Sequence, residues 1–237
     1  MKRKSITRYL VPILLLPALW GRAAEAVFTQ WLTPFRVLNG PQLTYTYSVQ
    51  LLSDAGLVAD SIKGRMYKAG TQYLDSSTVG ITAVNRGYFC KLDHDRKEAM
   101  VYNIEALSRK MNMTIEPDPP AKLLFPDSLI TRYGHFTVDS NARNYQVRLD
   151  IRSEGANVSL TAILSHANYQ LQQVIIDMPE PQVPGEKERW RRRCVLNNIS
   201  AHTAPAAFDL RRFFTVSGNV VTLAGKYSKY KLTSLIQ

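Results

Sequence analysis

The sequence predicts a mainly β fold of the α+β kind, an antiparallel sheet accompanied by a few short helices. Three observations carry this. Tyr145, Val147, Leu149 and Ile151 alternate with Gln146, Arg148 and Asp150, and Val158, Leu160, Ala162 and Leu164 alternate with Asn157, Ser159, Thr161 and Ser165. Side chains on a strand point to opposite faces with period two, so such segments have one dry and one wetter face. Turns at Glu154-Gly155 and Ala167-Asn168 join them, and residues 171–178 and 193–199 continue the run, which is the pattern of an antiparallel meander. A second run of the same kind fills residues 43–102.

The chain opens with a positive stretch, Lys2, Arg3, Lys4 and Arg8, followed by a short apolar core through Ile13, Leu14, Leu15 and Leu16. Ala24-Glu25-Ala26 has the small-x-small form that a signal peptidase needs. Residues 1–26 are therefore expected to be a signal peptide, and residues 27–237 a single exported, periplasmic domain. The apolar run is short for a hydrocarbon core of ~30 Å, which argues against an anchor.

Phe28, Trp31, Leu32, Phe35 and Leu38 recur at helical spacing until Asn39-Gly40-Pro41, which predicts an amphipathic helix with an aromatic face. Tyr45, Tyr47, Val49 and Leu51 then alternate with Thr46, Ser48 and Gln50. Residues 60–68 make the next strand, with Ile62, Gly64 and Met66 on it. Four shorter strands follow at 73–75, 80–84, 88–92 and 98–102, separated by turns such as Asn85-Arg86-Gly87. Residues 105–136 lose the alternation, with short helices expected at 105–113 and within 122–133 and with Pro117, Pro119 and Pro120 between them. A long break of this kind inside a β pattern suits a lid.

Residues 179–193 form the other irregular region. Lys187, Arg189, Arg191, Arg192 and Arg193 surround Trp190, and the stretch reads as an exposed basic hairpin loop. An indole among basic side chains suits a membrane interface or a protein contact. The tail, with Phe208, Phe213 and Phe214, reads as a closing aromatic segment and one or two edge strands.

The formal net charge is +11. For an exported chain this points to an anionic membrane surface or an acidic envelope protein as partner, and not to nucleic acid. The histidines at 94, 135, 166 and 202 lack metal-ligand spacing, and no nucleophile elbow, phosphate loop or dinucleotide fingerprint is present. No cofactor, no metal and no catalysis are expected. Cys90 and Cys194 either bridge the two meanders or stay free.

The order of elements resembles the LolA/LolB family of periplasmic lipoprotein carriers. The resemblance rests on the exported helix, the 43–51 strand, the strand with Gly64 before Met66-Tyr67, and the Asn85-Arg86-Gly87 turn. It extends over the four later strands and the segment containing Phe208. It implies a curved, half-open antiparallel β-barrel covered by short helices, with acyl chains bound on the inner apolar face. The carriers' Arg-Pro pair after the second strand is replaced here by Lys68-Ala69-Gly70-Thr71. The resemblance thus implies the fold more strongly than lipoprotein shuttling.

The reading that follows is an exported binding or carrier protein for a lipid or lipoprotein acyl chain. Its expected lining residues are Trp31, Phe35, Tyr45, Tyr47, Val49, Met66, Val147, Leu149, Leu160 and Leu164. The alternative is an envelope interaction or stress-sensing protein that uses the fold as a scaffold and contacts partners through residues 187–193.

Overall fold

The computed structural model describes residues 31, 33–115, 134–153, 156–180 and 189–236. The expected signal peptide, Phe28, Leu32, Lys187 and the helix expected within 122–133 lie outside them.

The chain is mainly β, as its alternation predicts. The first run makes β1 (Gln42–Ser53), β2 (Val58–Ala69), β3 (Gln72–Ser77), β4 (Gly80–Asn85), β5 (Tyr88–Asp93) and β6 (Glu98–Asn103). A helix, α1 (Ile104–Met111), follows directly. Asn103 caps it by accepting from the Ala106 amide at 2.9 Å, and Asn112 ends it in the left-handed conformation, φ 49°. The second run makes β7 (Gly134–Ser140), β8 (Asn144–Ser153), β9 (Ala156–Ser165), β10 (Leu171–Pro179) and β11 (Trp190–Ser200). A hairpin of β12 (Phe214–Ser217) and β13 (Val220–Leu223) and a last strand, β14 (Lys231–Leu235), complete the chain.

Twelve strands form one sheet in the order β14-β6-β5-β4-β3-β2-β1-β11-β10-β9-β8-β7. The two meanders meet where β1 pairs antiparallel with β11. Every neighbouring pair is antiparallel except β14 with β6, which run parallel. The sheet is open: β14 and β7 are its two edges among the described residues.

The helix expected over 28–38 is helical at Trp31 and a 3-10 helix over Thr33–Asn39. Two expectations are corrected. The break expected over 105–136 ends early, at Gly134, where β7 begins and pairs with β8. The exposed basic loop is also not a loop at Trp190, Arg191 and Arg192. These residues open β11 just ahead of the strand expected from Arg193 and pair with β1, and Arg191, Arg192 and Arg193 pair with β10 as well. Their charge hid the strand because the partners that neutralise it, Asp177 and Glu180, are brought alongside only by register.

Residues opposite one another in register share a face. On the front face one row runs Val138, Val147, Ala162, Val174, Leu196, Tyr47, Gly64 and Ser77 across eight strands. The next row runs Leu149, Leu160, Ile176, Cys194, Val49 and Ile62. On the back face of the other half lie Leu74, Ala83, Cys90 and Val101, and beside them Ile81, Leu92 and Ala99.

Two cores result. The front core gathers buried residues of β1, β2 and β8–β11 with Leu38 of the 3-10 helix. The back core gathers Leu74, Ile81, Ala83, Cys90, Leu92, Ala99 and Val101 against Phe208, Phe213, Phe214, Val221, Leu223 and Tyr227 of the C-terminal segment. Asn85 fastens this segment by donating its side-chain amide to the Phe208 carbonyl. Strands β3 and β4 are buried on both faces, with Tyr73 and Val84 in front and Leu74 and Ala83 behind. Elsewhere the back face mixes ion pairs, Arg193 with Asp177 and Arg148 with Asp150, with the half-buried Ile163, Ile175 and Val195.

Phe208→Ala should therefore destabilise the protein by about 3 kcal/mol or more, the range for emptying a buried aromatic site. Urea unfolding followed by circular dichroism measures this.

Candidate functional site

The front face brings nine of the ten expected lining residues into one apolar cluster. Tyr45, Met66, Val147, Leu149, Leu160 and Leu164 are buried within it, and Trp31, Phe35 and Tyr47 are half-buried against it. Val49 shares the face, opposite Cys194 and Ile62, but is half-buried and lies outside the cluster. At one end Trp31 meets Tyr145 edge-on with ring centroids 5.0 Å apart. Tyr145 in turn stacks on His166 and Tyr169, at 4.5 and 5.2 Å. Offset and edge-on aromatic contacts of this kind add to simple area burial.

A carboxylate interrupts the apolar face. Asp75 stands on β3 opposite Met66 and Thr82, so its side chain shares the face with Tyr73 and Met66. It is half-buried. Tyr47 Oη donates to Asp75 Oδ1 at 2.6 Å. Tyr47 lies two strands away on β1, and its ring must cross β2 to arrive there. It does so over Gly64, the residue directly opposite it. A Cβ at position 64 would stand 2.5 Å from Tyr47 Cζ and Oη. Gly64 is thus the gap that lets the phenol lie flat across the strand. Tyr45 sits beside it, ring centroids 6.2 Å apart.

Burial governs the ionisation of this group. It pushes the Asp75 carboxyl above the usual carboxylate range, and the Tyr47 hydrogen bond opposes that push. Burial first, and then Asp75, hold both Tyr45 and Tyr47 above the usual phenol range. Asp75 has no ion-pair partner among the described residues.

Of the basic stretch, Arg192 binds Glu180 at 2.7 Å, and Arg193 holds Asp177 through two hydrogen bonds of 2.8 and 3.0 Å. Arg189 and Arg191 are exposed, and Trp190 is half-buried. The charge open to a partner is therefore smaller than the sequence suggests. Cys90 and Cys194 are free thiols. Cys90 lies in the back core, where burial pushes it up to about 12, and Cys194 lies on the front face. Five strand spacings separate β5 from β11, roughly 24 Å at 4.8 Å each. A bridge between them is geometrically excluded.

Among the described residues, no group of three or more His, Cys, Asp or Glu is placed to hold a metal ion. No helix there is long and apolar enough to cross a membrane. Sequence reasoning missed Asp75 and the role of Gly64. The signal was present in both: a carboxylate at the inward phase of an apolar strand, and a glycine in the middle of a strand, which marks a close approach.

No family model matches the chain, and no curated protein matches it. Among solved structures it is similar to an uncharacterised conserved protein from Thermus thermophilus. The identity is 8%, the match covers 90% of this chain and 99% of that one, and the TM-score is 0.37.

Two predictions follow from the Tyr47–Asp75 contact. Gly64→Ala should destabilise the wild type by displacing the Tyr47 ring, yet be close to neutral in a Tyr47→Ala background. A double-mutant cycle in urea measures that coupling. Asp75→Asn keeps an acceptor for Tyr47 and removes the charge. A carboxyl raised by folding contributes stability that is complete below its unfolded value of about 4 and is lost as pH rises through its folded value. The stability difference should therefore shift in favour of Asp75→Asn as pH rises from about 4, and then level off. Thermal melts across that range at constant ionic strength measure it.

Proposed function

We propose that this is an exported binding protein that holds a lipid or acyl chain against the front face of its sheet. In this reading the sheet curves as a half-open barrel of the LolA-like kind, and the chain works in the periplasm as a carrier and not as a catalyst. The observation that carries the reading is the front face itself. Its two apolar rows cross β1 and β8–β11 without a charged residue, with Arg192 beyond them on one side and Asp75 on the other, and the aromatic side chains of Trp31 and Phe35 lie against them. The resemblance in element order supports the same reading. Binding would come from removing apolar area from water, at about 25 cal/mol per Å² before ordering costs are subtracted.

Part of this face is half-buried, including Val138, Val158 and Met178. These positions are suited to a test, because a charge there can reach water without unfolding the domain. Val158→Glu should retain the wild-type melting temperature within a few degrees and lose most of the binding of a fluorescent apolar probe, N-phenyl-naphthylamine. Equal probe binding by wild type and variant, both folded by circular dichroism, would count against the front face as the site.

A further inference from the structure

We propose that the Tyr47–Asp75 contact is the head-group end of this site, and that it selects an amphiphile whose polar end donates hydrogen bonds, with a protonated amine favoured over a carboxylate. The inference rests on the reading above that the front face binds an apolar chain, and it names the chemistry at the end of that chain.

Three observations carry it. First, Asp75 is half-buried at the border of the front core, on the same face as Tyr45, Tyr47 and Met66. A carboxylate set into an apolar surface is costly to keep unless donors satisfy it. Second, one donor is supplied and the other oxygen is left over. Tyr47 Oη reaches Asp75 Oδ1 at 2.6 Å, whereas no described side chain or amide donates to Oδ2. A carboxylate accepts at both oxygens, so this one has capacity for a further donor. Third, the group is held in place and not left to rotate. Its partner phenol crosses a whole strand to meet it, and only the missing Cβ at Gly64 permits that crossing. The hydroxyl of Ser77, on the same strand, is engaged with the Gly80 amide and carbonyl and also lies beside the Tyr47 phenol.

The cations on the same face do not neutralise Asp75. Arg192, at the far end of the rows, is bound to Glu180 at 2.7 Å, and neither Lys68 nor Lys91, which is in register with Asp75 through Thr82, is within ion-pair distance of any carboxylate among the described residues. A carboxylate-headed ligand would therefore meet a like charge at Asp75. An ammonium would meet a pre-oriented acceptor, and the bond would be charge-assisted. A hydroxyl would fall between the two.

The test uses three probes that share one alkyl chain: dodecylamine, dodecanol and laurate. Each is titrated against the purified full-length protein below its micelle concentration, with displacement of N-phenyl-naphthylamine as the readout. Dodecylamine should bind roughly tenfold tighter than laurate, the effect of one extra charge-assisted hydrogen bond at a partly exposed site. Dodecanol should lie between them. In Asp75→Asn the order should collapse to within about twofold while binding of the neutral dye is kept. Laurate binding as tightly as dodecylamine to the wild type would overturn the head-group assignment and leave the carrier reading standing. So would an amine preference unchanged in Asp75→Asn. Failure of all three probes and of the dye would overturn both. The wild-type series alone decides the matter if the variant does not fold.

Discussion

Each strand offers its side chains to two faces, and this sheet has no single apolar side. The constraint that orders the molecule is the crossing of its two cores. In front, the rows that run from β8 through β1 are apolar. Behind, it is the strands β3 to β6 that are apolar, and the C-terminal segment is folded onto them. The overlap falls at β3 and β4, which are buried on both sides. A strand buried twice has no solvent face on which to place a charge cheaply. Asp75 nevertheless stands there, on the front side of β3, which is why it is the most informative residue in the chain.

The pairing of β1 with β11 produces this crossing. Each meander alone could have been a separate small sheet. The register that places Tyr47 opposite both Leu196 and Gly64 joins them into one surface. The same register carries the aromatic ring across β2 to Asp75. Slipping β1 by one residue would send Tyr45, Tyr47 and Val49 to the polar back face and Ser48 and Gln50 into the front core. Apolar burial therefore fixes the register, and the register in turn fixes the one polar contact of the site.

Much of this is legible from local pattern. The strands at 145–151, 158–164 and 171–178 lie where the sequence puts them, the first two on their alternation and the third as an apolar run that follows a turn. The helix after β6 is legible too, with Asn103 before it and Asn112 at its end. Seven of the eight strand residues expected on the front face gather in its core, since period-two phase assigns a face, and Trp31 and Phe35 pack against it. What local pattern does not carry is long-range. Trp190 to Arg192 looks like a solvated loop ahead of the strand expected from Arg193, because only folding brings Asp177 and Glu180 beside their arginines. The parallel pairing of β14 with β6 has no local sign at all. Asp75 looks scattered among the other acids, because its meaning depends on a tyrosine two strands away.

The central claim is that the front face is a place for an apolar chain and not only a core. The most direct measurement is organic extraction of the protein purified without detergent, followed by mass spectrometry of the extract. The account predicts an amphiphile present at close to one per chain and absent from a Val158→Glu preparation made in parallel. An extract free of lipid, from protein that also takes up none when exposed to membrane extract, would contradict it.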